Sequence, residues 1–465
     1  ANDLFAEAIG KETNPKKFTY IFGNNEAHRT AIERLYNLEQ SRFTLDDFFD
    51  AFNVEPVSKK FFDEYKLIYN ELATYIYNEE EYRKIFKITN TTDDKPPKEV
   101  RGFIGRLMGR IVFLYFLQKK NWLGATNTEF KDGSTSFLSD LFKNDAENQK
   151  DFYTKYLCPI FFEALNTNRG NNQEFTLING KTVCIPFLNG GLFEEDQEPS
   201  GHRNIKFRKS DFNRIFDFFN SYNFTVYENS PEEHTIAVDP EMLGHIFENL
   251  IDYNKDTGTF YTPKEIVQYM TQESLIEYLK SNTNINSNDL ELLIKNQFAD
   301  NISDGELKNI EGFLDSIKIC DPAIGSGAFP VGMLQEIFNL KALINYRLKD
   351  KEWNPAYIKQ NIIQNSIYGV DIDSGAVEIA RLRFWLSLVI DEGLPKPLPN
   401  LDFKIVVGNS LSSKFGLDDN MSTIFKDFNK KLKKKEIKDS DILSLIDNNK
   451  LDLEFYKKII DEFAT

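Results

Sequence analysis

Cysteine is scarce and scattered. Cys158, Cys184 and Cys320 are the only three in 465 residues. With no CxxC pair and no Cys/His cluster, neither a disulfide framework nor a zinc site is indicated, and a reducing cytoplasm is the simplest setting. The four histidines, His28, His202, His234 and His245, show no metal spacing. No basic-then-apolar leader opens the chain. The longest apolar stretch, from Phe103 to Leu117, is broken by Arg106 and Arg110. It is too short to cross a bilayer, so it predicts a buried helix and no membrane partner. Positive charge is also short: 56 Lys and Arg against 72 Asp and Glu leave a formal net charge of −16. Such a chain does not coat nucleic acid by electrostatics alone, although a local basic face can still act.

What is plentiful is apolar and aromatic surface. Hydrophobic residues make up 41% and charged residues 28%, with 41 Phe and 20 Tyr. This is a globular composition with a large core to bury, and its length suggests two or three domains. Residues 1–254 read as mainly helical. The run 61–86 repeats apolar residues at three and four, and 100–123 predicts a second long helix. Asp239-Pro240-Glu241 reads as a helix start, with Asp capping and Pro in the first turn. The Asn- and Gly-rich stretch 166–181 predicts a loop or hairpin, and Gly190-Gly191 a turn.

The pattern changes beyond this point. Short apolar runs at 317–320, 367–370 and 403–407 predict strands, and helices are expected over 327–344, 354–365 and 376–390. Strands alternating with helices predict a parallel sheet covered on both faces. The expected division is therefore 1–254 and 255–465.

Between the first strand and its helix lies Cys320-Asp-Pro-Ala-Ile-Gly-Ser-Gly-Ala-Phe329. Gly325 and Gly327 would let the backbone approach a nucleotide-like ligand, and the helix start would offer amides to an anionic group. A dinucleotide fingerprint needs a third Gly where Pro330 stands, and a Walker loop needs Gly-Lys-Ser/Thr, so neither applies. Asp321 suits a ligand with a positive amino group; S-adenosylmethionine has one, together with a carboxylate. The alternative is a tight turn with no ligand. In Ser366-Ile-Tyr-Gly-Val-Asp-Ile-Asp373 an acid ends the second strand, where Asp371 is placed to accept ribose hydroxyls and Asp373 to cap the next helix. The alternative is that both acids only cap.

Four segments carry a resemblance: Thr257-Gly-Thr-Phe-Tyr-Thr-Pro263, Asp321-Pro-Ala-Ile-Gly-Ser-Gly-Ala-Phe329, Tyr368-Gly-Val-Asp-Ile-Asp373 and Ile405-Val-Val-Gly-Asn-Ser-Leu411. In this order they resemble the gamma-class adenine-specific DNA methyltransferases, as in type IIG restriction–modification enzymes and related phage-defence methylases. The likeness spans about 243–411 and is looser in the helical half, where Asn189-Gly-Gly-Leu-Phe193 also looks familiar. It implies a mainly α-helical N-terminal domain followed by an incomplete α/β class I (Rossmann-like) methyltransferase domain, with S-adenosyl-L-methionine as cofactor. Tyr261, Thr262 and Pro263 would lie against the methionine end. Asp321, Ala323, Gly325 and Gly327 would hold the amino acid moiety, with Phe329 as a pocket wall or plain core. Asp371 would bind the ribose with Ile372 beside it, and Asn409 would face the adenine ring, where relatives often carry Asp.

The family's catalytic Asn/Asp-Pro-Pro-Tyr/Phe is not found in the sequence. Lys95-Pro96-Pro97 lacks the Asn. Asn354-Pro355-Ala356-Tyr357 precedes the second strand and predicts a helix start, with Asn354 capping. Glu64-Tyr65-Lys66 matches the short nuclease pattern but lies in a helical run, so surface charge is expected there. Lys430 to Lys438 reads as an exposed helix face rather than a phosphate contact. The expectation is a fragment, inactive alone, of a DNA adenine-N6 methyltransferase. Double-stranded DNA would be engaged mainly through a missing C-terminal part, with other defence-system subunits as further partners. A non-catalytic DNA- or protein-binding scaffold with a relic fold, or a methyltransferase acting on a protein amide, remain as alternatives.

Overall fold

The structure is a computed structural model. It describes residues 55–89, 95–188, 191–222, 224, 262–349 and 352–411, with short pieces at 18–19, 32, 35–36 and 234–235. The expected helix after Asp239, the expected division at 254/255, Tyr261 and the basic run 430–438 lie outside the described residues. Two compact units are formed. The first takes 1–261 with 352–360 and 382–399; the second takes 262–351, 361–381 and 400–465.

The first unit is built on helices α1 (Glu55–Asn78), α2 (Glu80–Ile85), α3 (Lys98–Lys119), α4 (Phe137–Asn144) and, after a short hairpin, α5 (Lys209–Asn220). The apolar run expected to be a buried helix is α3, buried on all sides from Leu107 to Gln118. It ends earlier than the periodicity predicts. Asn121 adopts φ 59° and the chain turns there, so 120–123 is not helical. Phenylalanines fill the space around these helices: Phe61 meets Phe218 at 4.8 Å and Tyr222 at 4.9 Å, and Phe152 meets Phe142 and Phe212 at 5.2 Å. Such tilted ring pairs add to the area they bury. The Asn- and Gly-rich stretch is a hairpin of β1 (Glu174–Thr176) and β2 (Thr182–Cys184), paired Phe175 to Val183, with Gly180 at φ 81° in the turn.

Arg106 and Arg110, which interrupt the apolar run, share one buried counter-charge. Glu198 accepts from Arg106 Nε at 2.9 Å and from Arg110 Nη1 at 2.5 Å, while Arg110 Nε donates to the Leu192 carbonyl at 2.6 Å. The Gly191–Phe193 turn is held to α3 in this way.

The second unit opens with α6 (Lys264–Asn282), α7 (Ser287–Asn296) and α8 (Asp304–Ser316). Asn286 caps α7, and Ser303 with Glu306 forms a capping box on α8. Along the chain β3 (Ile319–Asp321), α9 (Ala328–Leu348), α10 (Pro355–Ser366), β4 (Ile367–Asp371), α11 (Ser374–Asp391) and β5 (Ile405–Val407) follow, of which 355–360 in α10 and 382–391 in α11 count to the first unit. The three strands form one parallel sheet in the order β3-β4-β5, with Asp321 opposite Gly369 and Asp371 opposite Val407. A mixed fold is thus observed, helical first and α/β second. All three strands differ from expectation at an end: β3 begins two residues later and ends one later, so Asp321 is its last residue, β4 runs on to Asp371, and β5 begins at Ile405. The predicted helix starts hold: Asn354 Oδ1 accepts the Tyr357 amide at 3.1 Å, and Asp373 Oδ1 accepts those of Gly375 and Ala376 at 2.7 and 3.2 Å. Asn354-Pro355-Ala356-Tyr357 is therefore a helix N-terminus, and Glu64-Tyr65-Lys66 lies inside α1.

Candidate cofactor cleft

The C-terminal ends of three parallel strands converge on one residue, Asp371. Asp371 Oδ2 accepts the Gly325 amide at 2.9 Å and its Oδ1 accepts the Asp373 amide at 2.8 Å. The Asp371 carbonyl takes the Gly408 amide at 2.8 Å, and the Ile324 amide reaches the Val370 carbonyl at 2.9 Å. The Gly-rich turn after β3, the acid ending β4 and the turn after β5 are therefore stitched together at one end of the sheet. In open α/β sheets this end is where ligands bind.

The two glycines of the turn have different jobs. Gly325 sits at φ 53°, and a Cβ added there would meet nothing within 4 Å. Its bare face opens onto free space. Gly327 sits at φ 87°, and a Cβ there would come within 3.2 Å of Ala380 Cβ on α11. Its missing side chain makes room for the neighbouring helix. The Gly327 amide donates to the Ile324 carbonyl at 2.8 Å, and α9 begins immediately after it.

Asp321 is half-buried and its Oδ1 accepts the Ala323 amide at 3.1 Å. Burial raises its carboxyl pKa; the Ala323 amide opposes that, and the charge of Asp371 adds to it. A carboxylate disfavoured in this way gains from a cationic partner. Thr262 and Pro263 stand at the N-terminus of α6, where the Pro263 carbonyl accepts the Ile266 and Val267 amides. One turn on, α6 presses against α9: a Cβ on Gly332 would lie 2.5 Å from Val267 Cγ1. Ala323 and Asn409 are exposed, Phe329 is half-buried, and Ile372 is 72% exposed at the tip of β4. Asn409 Oδ1 accepts the Leu411 amide at 3.0 Å, so its carbonyl is engaged locally.

The structure thus brings Asp321, Gly325 and Asp371 to one sheet end, with Ile372 and Asn409 on the adjoining turns. Ile324 and Gly369 lie within the two motifs but carry no ligand-binding chemistry of their own. A Gly inside an apolar strand run is itself a signal of close approach. Among the described residues there is no group of three or more His, Cys, Asp or Glu placed to hold a metal ion, and no helix long and apolar enough to cross a membrane.

Residues 295–392 match the family described as MmeI, DNA-methyltransferase domain, and residues 365–465 match the Eco57I restriction-modification methylase family. A protein of Methanocaldococcus jannaschii, named as a type II restriction enzyme and methyltransferase, is 32% identical over 335 residues, or 66% of the chain; the chain spans only 27% of that relative's length. Among solved structures, the type IIL restriction–modification enzyme MmeI in complex with DNA is similar at 16% identity and a TM-score of 0.47, over 74% of this chain and 40% of that one. A modification subunit of a type I restriction enzyme from Vibrio vulnificus is similar at 14% identity and a TM-score of 0.30, over 70% and 54%. Two overlapping family matches and a relative named for both activities make residues 295–465 similar to the methylases of type II restriction–modification systems.

Proposed function

We propose that this chain is the S-adenosylmethionine-binding part of a DNA adenine-N6 methyltransferase whose α/β unit is an incomplete Rossmann-like methyltransferase fold. The observation that carries the reading is the 2.9 Å bond from the Gly325 amide to Asp371 Oδ2. It sets the Gly-rich turn and the acid of the next strand side by side at the end of a parallel sheet. The residues present fit the cofactor. Open space over Gly325 accommodates its backbone, and the half-buried Asp321 carboxylate offers a counter-charge to its ammonium. Asp371, oriented by two amides, keeps lone pairs for ribose hydroxyls. Ile372 offers an exposed apolar surface beside it, and Thr262 and Pro263 border the methionine end from α6. Tyr261 and Asn409 complete the set assigned by resemblance.

The cofactor, when bound, supplies an electrophilic methyl group. The residues of this chain bind and orient it, and the groups that would accept a proton or hold a flipped base belong to the Asn/Asp-Pro-Pro-Tyr/Phe signature, which this sequence does not contain. The chain alone is therefore expected to transfer no methyl group. Assayed with the remainder of the parent protein, tritiated methyl should appear on adenine N6 in duplex DNA. Transfer to a glutamine peptide and not to DNA would replace this reading with protein methylation. No transfer to either, from a parent that binds duplex DNA, would favour the non-catalytic scaffold.

A further inference from the structure

The Gly-rich turn is free to move only if nothing holds it to the sheet. Its one buried apolar side chain is Ile324, which is 3% exposed. It lies over β4 at Gly369, where an added Cβ would come within 2.2 Å of Ile324 Cδ1, 3.0 Å of its Cγ1 and 3.1 Å of its Cβ. The whole side chain, not only its tip, occupies the space a residue at 369 would need. Gly369 is paired on both sides, with Asp321 on β3 and Ile405 on β5, so its backbone has no room to retreat. Two residues beyond Gly369 on the same strand is Asp371, and one residue beyond Ile324 on the turn is Gly325. The knob in its socket and the Gly325–Asp371 bond are thus adjacent rungs of one attachment, with the Ile324 amide to Val370 carbonyl bond between them.

We infer that Ile324 and Gly369 are positioning residues: the isoleucine seated on the bare strand fixes the Gly325 backbone against Asp371 and so sets the width of the cofactor cleft. This rests on the cofactor reading only for its functional consequence; the anchoring itself concerns the protein alone. Neither residue touches the ligand. Gly369→Ala displaces Ile324, lifts the turn and breaks the Gly325 bond. Shortening the knob relieves the collision, because Ile324→Val removes the atom at 2.2 Å and leaves contacts of 3.0 Å and more.

The test uses the full chain in four forms: wild type, Gly369→Ala, Ile324→Val and the double variant. Exchange of the Gly325 amide, read by hydrogen–deuterium mass spectrometry, needs no ligand. Titration with S-adenosylmethionine reads the cleft. Gly369→Ala should speed Gly325 exchange and weaken cofactor affinity about tenfold or more, since small misplacements in a site are costly. The double variant should recover both. A merely destabilised strand would give no such rescue, because Ile324→Val alone removes core volume. The inference is overturned if Gly369→Ala leaves Gly325 exchange unchanged, or if the double variant is no better than Gly369→Ala. Should Gly369→Ala fail to fold, a folded double variant with wild-type Gly325 exchange supports the inference, and an unfolded one overturns it. Rescue of exchange without any cofactor binding by the wild type would retain the anchoring and discard the cofactor reading.

Discussion

Asp371 holds two backbone amides from two different turns on one carboxylate, so removing it disturbs structure and binding together. Asp371→Ala leaves the half-buried Gly325 and Asp373 amides without their acceptor and should cost about 0.5–1.5 kcal/mol per lost hydrogen bond. Urea unfolding checks this, and a variant as stable as wild type would contradict it. Asp321 behaves in the opposite sense. Its pKa is raised in the fold, chiefly by burial, so the stabilisation linked to its proton is full below the ordinary Asp range and is lost as pH rises through the raised value. Asp321→Asn should therefore match or exceed wild-type stability near about pH 7, with the difference closing near about pH 4. The same substitution should weaken S-adenosylmethionine binding at pH 7, since the counter-charge is gone. A gain in affinity would remove Asp321 from the ammonium role.

At the scale of elements, the helical unit depends on a charge cluster inside an aromatic core. Glu198 lies between Arg106 and Arg110 with its side chain fully buried. Burial alone would raise its carboxyl pKa, but the charges and hydrogen bonds of Arg110 and Arg106 outweigh that and hold it below the usual carboxylate range. Its stabilising effect is present above that range and is lost as pH falls through the depressed value. Glu198→Ala leaves Arg110 buried and uncompensated and should destabilise the protein by about 3–5 kcal/mol. Equilibrium denaturation measures it, and a loss below about 1 kcal/mol would mean that the cluster is dispensable. A coupled effect is expected at the Gly191–Phe193 turn, which Arg110 holds through the Leu192 carbonyl.

At the scale of the whole molecule, a net charge of −16 gives a further expectation. Duplex DNA should bind this chain no more tightly than non-specific association, about 10⁻⁴ to 10⁻⁶ M at physiological salt. Nanomolar binding in a gel-shift assay would place the recognition surface here instead. Cofactor affinity is expected to be weak as well, because among the described residues only three strands build the sheet at this site. Calorimetric binding in the nanomolar range would show that the described residues already form a closed pocket.

The sequence by itself determined the local elements and their order. The strand expected at 367–370, the caps at Asn354 and Asp373 and the buried helix from Phe103 to Leu117 follow from short-range signals: apolar spacing, Pro after a capping Asn, an acid ahead of a helix. These depend on residues a few positions apart, and so they can be read from a string. Tertiary structure decided which distant residues meet. The sequence offers no sign that Glu198 is the partner of Arg106 and Arg110, that Gly327 yields its space to Ala380, or that Ile324 settles on Gly369. Each of these depends on how strands pair and helices pack, and the alternatives are excluded only when close packing leaves room for one arrangement.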